Sequence, residues 1–242
     1  MSTKIKAVIL AAGTGSRLYP LTAGTPKCMV KVGGRPLIDW QLQSIEKIGI
    51  KDILVVVGYR KEVIQKHLGN RVRYREYADY AKTNNLHTLW HVKDELNTDF
   101  ICFFSDLIYE TSVLEDLKNA VGDFNLVVDT GRVLEGTMRV KINRGRLIAI
   151  GDQVPKDQGS GNFIGISKFS QKGARLLVEQ MSKMICGHQK DYYTVALNVL
   201  LNEGAAISYI DIKNRLWAEI DTMADLQKAE QNMVITLLTQ TR

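Results

Sequence analysis

The order of signals along the chain predicts an α/β protein: a mostly parallel sheet covered on both faces by helices. Three observations carry this expectation. Continuous apolar runs at residues 5–10, 53–57 and 100–104 have the length and all-round hydrophobicity of strands buried on both sides. Helical patterns separate these runs, as parallel pairing requires. Later in the chain the alternation breaks at a hairpin signal, Asn143-Arg144-Gly145, between residues 138–142 and 146–150.

Each element has a local reason. Residues 36–48 place Ile38, Leu42 and Ile45 on one helical face, and Gly49 stops the helix. Residues 61–68 read as a short helix closed by Gly69. Residues 71–75 alternate polar and apolar, as a strand near an edge does. A helix is expected over 87–96, and another over 111–120 with a capping box from Thr111 or Ser112 to Glu115. Residues 126–129 and 163–169 read as strands, 171–184 and 193–201 as helices, 206–210 as a strand and 222–238 as a long terminal helix. The hairpin is expected to form a small antiparallel insertion over one end of the sheet. Nothing resembling a repeat, a low-complexity tract or a linker interrupts the 242 residues, so one domain over 1–242 is expected.

Composition excludes several classes. With 45% hydrophobic and 24% charged residues the chain has the makings of a folded core, not of disorder. No apolar run is long enough to span a bilayer, so no membrane partner is expected. Met1-Ser2-Thr3-Lys4 leads straight into a strand-like run, without the look of a signal peptide. Cys28, Cys102 and Cys186 are scattered and odd in number, which fits a reducing cytoplasm and argues against a disulfide framework or a Cys-based zinc site. The net charge of +6 is unevenly spread: residues 1–75 hold 14 Lys/Arg against 4 Asp/Glu, the remainder 18 against 22. A basic N-terminal part suits an anionic ligand or a solvated basic face. With no RNP-like motif, zinc finger or long Lys/Arg run, nucleic acid is not the expected partner.

In open parallel sheets, ligands sit beyond the carboxyl ends of the strands. The first strand runs into Leu10-Ala11-Ala12-Gly13-Thr14-Gly15-Ser16-Arg17-Leu18, and Pro26-Lys27 follows. Small residues let the backbone approach phosphate oxygens, and Arg17 and Lys27 add positive charge. This is not a Walker loop, because no Gly-Lys-Ser/Thr closes it. It is not a dinucleotide fingerprint either: Leu18 stands at the third glycine position, and the second strand ends Val57-Gly58 without an acid. That argues against a dinucleotide-dependent oxidoreductase. Residues 100–104 lead through Ser105 to Asp106, an acid facing the crevice or a turn aspartate. In Trp217-Ala218-Glu219-Ile220-Asp221-Thr222, Glu219 and Asp221 share a face if extended, and Asp221 could equally cap the last helix.

Together, the glycine loop, Pro26-Lys27, Val32-Gly33-Gly34-Arg35-Pro36-Leu37-Ile38, residues 103–106 and residues 217–226 resemble the motifs of the nucleotidyltransferases, enzymes that activate sugar phosphates and small phospho-alcohols with a nucleoside triphosphate. The resemblance covers most of the chain. It implies a Rossmann-like three-layer α/β/α sandwich with a mostly parallel mixed sheet and a small antiparallel insertion, residues 1–130 binding mainly the nucleotide and 131–242 mainly the acceptor. It implies that Leu10, Ala11, Ala12, Gly13, Thr14, Gly15 and Ser16 enclose the nucleotide, that Arg17 holds the β- and γ-phosphates, and that Lys27 holds the α-phosphate. It implies Mg2+ on Asp106 and Asp221, with Glu219 a lesser ligand, and pyrophosphate as the leaving group. Lys82-Thr83-Asn84-Asn85-Leu86-His87-Thr88 is similar to the cytidylyltransferase branch acting on phosphocholine, aminoethylphosphonate and related acceptors. CTP is therefore the expected nucleotide, with Asn84, Asn85 and Thr88 at its base, although an Asx turn accounts for the asparagines equally well. UTP, dTTP or GTP with a sugar 1-phosphate is the alternative within the family, and a catalytically silent nucleotide-binding subunit the alternative outside it. Arg139 and Lys141 are expected to meet the acceptor's phosphate, and Tyr192, Tyr193 and Trp217 its remainder. Gly151-Asp152 and Gly161-Asn162 depart from the branch's pattern and leave the acceptor's identity open. A homodimer through residues 171–201 and the terminal helix is compatible with the sequence.

Overall fold

A computed structural model of the protein describes residues 5–134 and 138–233. Strand β1 (Lys6–Ala11) lies at the centre of a nine-stranded sheet. A two-stranded ribbon of β2 (Lys31–Val32) and β3 (Arg35–Pro36) leads into α1 (Leu37–Lys47). Next come β4 (Asp52–Val57), α2 (Lys61–Leu68) and β5 (Arg73–Glu76), both strands parallel to β1. Helix α3 (Asn85–His91) precedes β6 (Phe100–Phe104), which pairs parallel with β1 on its other side. After β6 the chain forms β7 (Leu107–Tyr109), α4 (Ser112–Asn119) and β8 (Phe124–Asp129), then a hairpin of β9 (Met138–Asn143) and β10 (Arg146–Gly151). It ends with β11 (Gly161–Phe169), α5 (Gln171–Met184), α6 (Tyr193–Asn202), β12 (Ile207–Asp211), β13 (Trp217–Glu219) and α7 (Met223–Asn232). The expected continuation of the terminal helix beyond residue 233 lies outside the described residues.

Alternation along the strands explains the three layers. Ala7, Ile9 and Ala11 of β1 pack with Ile38, Leu42 and Ile45 of α1, Ile64 and Leu68 of α2, and Val113, Leu114 and Leu117 of α4. Val8 and Leu10 face the other way, toward Leu86 and Leu89 of α3, Leu177 and Met181 of α5, and Leu197 and Leu200 of α6. The fold is the expected Rossmann-like α/β/α sandwich with a mixed, largely parallel sheet.

The hairpin differs from expectation in its placement. It does not lie over the end of the sheet but extends it, in the order β10-β9-β11-β6-β1-β4-β5. Strand β11 makes this join, running antiparallel to β6, β8 and β9. Its pairing with β8 shifts register between Phe163 and Ser167, where Gly165 takes φ 86° and a Cβ would lie 2.7 Å from Phe104 Cδ2.

The expected capping box at the start of α4 is absent. Thr111 is already helical in φ/ψ and makes no side-chain cap; its hydroxyl lies 3.0 Å from Ser44 Oγ of α1 instead. The box is found at α7, where Thr222 Oγ1 accepts from Asp225 N and the Asp225 carboxylate accepts from Thr222 N.

Part of the basic excess of residues 1–75 is taken up by ion pairs within the fold. Arg73 pairs with Asp52 and Glu95, Arg75 with Asp94 and Glu95, Arg71 with Asp39 and Glu46, and Lys61 with Glu76. Lys6 is buried because its ammonium reaches the Glu95 carboxylate at 2.8 Å. Of the basic residues in this part, Arg17 and Lys27 line the cleft at the carboxyl ends of β1 and β6.

Candidate active site

The cleft lies at the carboxyl ends of β1 and β6 and encloses about 560 Å³. The glycine loop forms one wall. Gly15 adopts φ 64°, and a Cβ there would stand 2.8 Å from Lys27 Cβ. The loop backbone and the lysine are thus in contact with no room for a side chain between them. Thr22 Oγ1 closes the loop by donating to Gly15 O at 2.9 Å. Residues 16–18 make one 3-10 turn that buries Leu18 and leaves Arg17 outside.

A separate apolar cluster anchors this arrangement. Leu18, Val32, Leu37, Trp40, Ile108, Ile220, Leu226 and Ala229 pack together. Three of them neighbour the chemistry: Leu18 follows Arg17, Ile108 lies two residues past Asp106, and Ile220 separates Glu219 from Asp221. Burying Ile220 turns the flanking acids to the cleft.

The acids meet through a short ribbon. Strand β7 pairs antiparallel with β13, opposing Leu107 to Glu219, and Ile220 N donates to Asp106 O at 2.9 Å. Thr222, not Asp221, is the N-cap of α7, so the Asp221 carboxylate is free for the cleft. Lys27 Nζ donates to Asp106 Oδ2 at 2.5 Å and to Asp221 Oδ1, and Arg17 Nη2 reaches the same Asp221 oxygen at 2.8 Å.

Burial alone would lower the pKa of Lys27, but Asp106 and Asp221 outweigh it and raise it. Glu219 is pushed up to about 8, first by burial and then by the charges of Asp106 and Asp221, with Lys27 and Arg17 opposing. Carboxylate oxygens of Asp106, Glu219 and Asp221 lie within 4.8 Å of one another. Asp106 Oδ1 is buried and accepts no hydrogen bond from the described residues. An all-oxygen donor set with one oxygen left over is suited to a hard divalent cation.

The structure places residues 10–17, Lys27, Asn84, Asn85, Thr88, Asp106, Tyr192, Glu219 and Asp221 on this one cleft. Other expected residues stand elsewhere. Arg139 donates to Val154 O at 2.5 Å and Asp152 O at 2.8 Å, and Lys141 donates to Gln158 Oε1 at 3.0 Å; both brace the turn after β10. Gly136 and Thr137, at the start of the same stretch, lie outside the described residues. Tyr193 is fully buried, its hydroxyl 2.8 Å from Ser167 Oγ. Trp217 is buried and donates to Asp129 Oδ2, while the Arg132 guanidinium covers its ring at 5.6 Å. Asn84 lines the cleft with its amide already engaged: Oδ1 accepts from Asn85 N, and Nδ2 donates to Lys190 O. The Asx-type alternative accounts for its side chain.

Tyr80, Phe104, Met138 and Lys190 also line the cleft, unanticipated from sequence. Phe104 belongs to a buried strand and Lys190 to a turn between helices, and neither position carries a local signal.

A family model described as nucleotidyl transferase matches residues 6–133. The chain belongs to the nucleotidyl transferase family. This transferase is 30% identical to a CTP:phosphoglutamine cytidylyltransferase of Campylobacter jejuni, over 92% of this chain and 98% of the relative. It is 28% identical to a 2-aminoethylphosphonate cytidylyltransferase of Lancefieldella rimae, over 97% and 95%. Among solved structures, the inositol-1-phosphate CTP transferase of T. maritima superposes with a TM-score of 0.82 at 22% identity, over 99% of this chain and 96% of that one. The CTP:phosphocholine cytidylyltransferase of Streptococcus pneumoniae gives 0.78 at 25%, over 94% and 98%. The nucleotidyltransferase is thus an enzyme of the EC 2.7.7 type. Among its described residues no helix is long and apolar enough to cross a membrane.

Proposed function

We propose that this nucleotidyltransferase moves a cytidylyl group from CTP to a phosphate or phosphonate oxygen of a small acceptor and releases pyrophosphate. The observation that carries the reading is the convergence of Lys27, Arg17, Asp106, Glu219 and Asp221 at the mouth of the glycine loop. In the transfer, a bond forms between the acceptor oxygen and the α-phosphorus, and the bond from that phosphorus to the bridging oxygen of the β-phosphate breaks. The acceptor oxygen is already anionic, so no general base is required. The work of the site is to hold two anions in line and neutralise their charge.

The chain's residues divide this work. The Gly13–Ser16 backbone wraps the triphosphate. Lys27 holds the α-phosphate, exchanging its carboxylate partners for phosphate oxygens. Arg17 holds the distal phosphates. Asp106, Asp221 and Glu219 would hold Mg2+, which when bound neutralises phosphate oxygens and favours departure of pyrophosphate. At the base, the Asn85 Nδ2 group and the Thr88 hydroxyl offer hydrogen bonds to a pyrimidine edge. The family branch of the full-length relatives, named for CTP, supports cytosine. At the acceptor, Tyr192 keeps its expected place and offers a ring face, while Lys190, in place of Arg139 and Lys141, offers an ammonium.

The test is pyrophosphate release with Mg2+, each of CTP, UTP, dTTP and GTP, and a panel of phosphocholine, 2-aminoethylphosphonate, phosphoglutamine and glucose 1-phosphate. CTP with one of the first three is expected to be fastest. A faster rate with UTP, dTTP or GTP and glucose 1-phosphate would contradict the cytidylyl reading, and no release from any pair would contradict transfer altogether.

A further inference from the structure

We propose that Asn84 is a positioning residue for the acceptor half of the site: its side chain fastens the cleft wall formed by Lys190 and Tyr192 to the start of α3. What the wall serves rests on the cytidylyl-transfer reading; the tether itself does not.

The geometry is a seam between two segments about a hundred residues apart. Asn84 N donates to Gln189 O at 2.7 Å, Asn84 Nδ2 to Lys190 O at 3.1 Å and Leu86 N to Asp191 O at 3.3 Å, while Tyr193 N donates to Asn85 Oδ1 at 2.9 Å. Segment 187–192 belongs to no helix or strand, so these bonds replace the ladder it lacks. Its backbone groups face α3, and the side chains of Lys190 and Tyr192 line the cleft.

The wall's position assigns it to the acceptor. Across the cleft, the glycine loop and Tyr80 stand at the ends of β1 and β4, where a Cβ on Gly58 would meet both Tyr80 and Ala12 O. Tyr192 stands on the opposite side, its ring centroid 6.4 Å from that of Phe104 at the end of β6, with Met138 of β9 also lining the cleft. Asn84 follows Tyr80 by four residues and bonds Lys190 of the wall, so it links the two sides. Both polar ends of its side chain are consumed, one by the helix cap and one by the wall. Only the second polar end of the amide distinguishes it here from the other good N-caps: Ser and Asp cap equally well, but an ionised Asp has no donor and a Ser hydroxyl, one atom shorter and engaged at the cap, does not also reach Lys190 O.

That difference supplies the experiment. Asn84→Ser keeps the cap and removes the tether; Asn84→Asp does the same by a second route, so a folding defect in one does not decide the matter. Circular dichroism and hydrogen–deuterium exchange establish that each variant is folded. The expected result is exchange at residues 188–192 faster by at least fivefold. The KM for the best acceptor of the panel should rise at least fivefold, with the KM for CTP and kcat at saturating acceptor each within twofold of the parent enzyme. A rise in the KM for CTP with an unchanged acceptor KM would make Asn84 a base reader and overturn the proposal. Unchanged exchange would overturn the tether. An equal rise in both constants would overturn the selective role. If the parent enzyme releases no pyrophosphate from CTP, the cytidylyl reading fails, while the exchange arm still decides whether Asn84 holds the wall.

Discussion

Lys27 bridges Asp106 and Asp221 in the structure, and the Gly15 backbone fixes where it does so. Gly15→Ala therefore acts twice. It strains a residue at φ 64°, at a cost of roughly 1–2 kcal/mol, and its methyl displaces Lys27. Turnover is expected to fall on the order of 10²-fold, since a displacement near 1 Å at reacting groups has that effect. Steady-state pyrophosphate release alongside a urea melt checks both parts; normal turnover would show that the loop and lysine need not touch. Glu95 is a structural counterpart far from this chemistry. Hydrogen bonds from Arg73, chiefly, and from Lys6 hold its pKa down to about 2. A carboxylate so depressed stabilises the fold fully above its ordinary value near ~4.3 and loses that contribution as pH falls through the lower value. The difference in urea midpoint between the parent and Glu95→Gln is thus expected to be full at pH 6 and to shrink toward pH 2. A difference that persists unchanged at pH 2 would contradict this assignment.

Among elements, the start of α7 matters most to the site. Its capping box holds the backbone beside Asp221, because Asp225 Oδ2 also accepts from Asp221 N at 3.2 Å. Thr222→Ala is expected to cost about 1 kcal/mol of stability, measured by urea denaturation, and to lower turnover by loosening Asp221. Residues 112–115 and 222–225 carry the same hydroxyl-to-acid spacing, yet only the second forms the box. Thr222 is extended at φ −132°, whereas Thr111 is already helical at φ −57°. Spacing cannot distinguish them, because the preceding turn decides the conformation of the cap. The long buried strands were legible because both their faces are apolar. Strands β7 and β13, three residues each, are too short for periodicity, and they are what bring Asp106 to Glu219 and Asp221. The placement of Arg139 and Lys141 was illegible for a related reason. Alternation puts both on one face, but which neighbour that face meets is settled by the turn after β10.

On the scale of the whole molecule, the carboxyl end of the parallel strands gathers residues from positions 10 to 221 into a single cleft. The sequence order of motifs made the sandwich legible, since alternating strands and helices admit few arrangements. It could not reveal which basic residues meet a ligand. Arg71, Arg73 and Arg75 are taken up by acids along an exposed edge, so the charge excess of the first 75 residues points only partly to a binding site. The central claim is that Lys27 and the three acids form the transfer centre. Its most direct test is pyrophosphate release from CTP, Mg2+ and the panel's best acceptor by Lys27→Met, with CTP saturating. The account predicts a fall in kcat of at least about 10²-fold in a folded protein, the scale of losing a charge-stabilising group from the reacting centre; a kcat within twofold of the parent enzyme would contradict it.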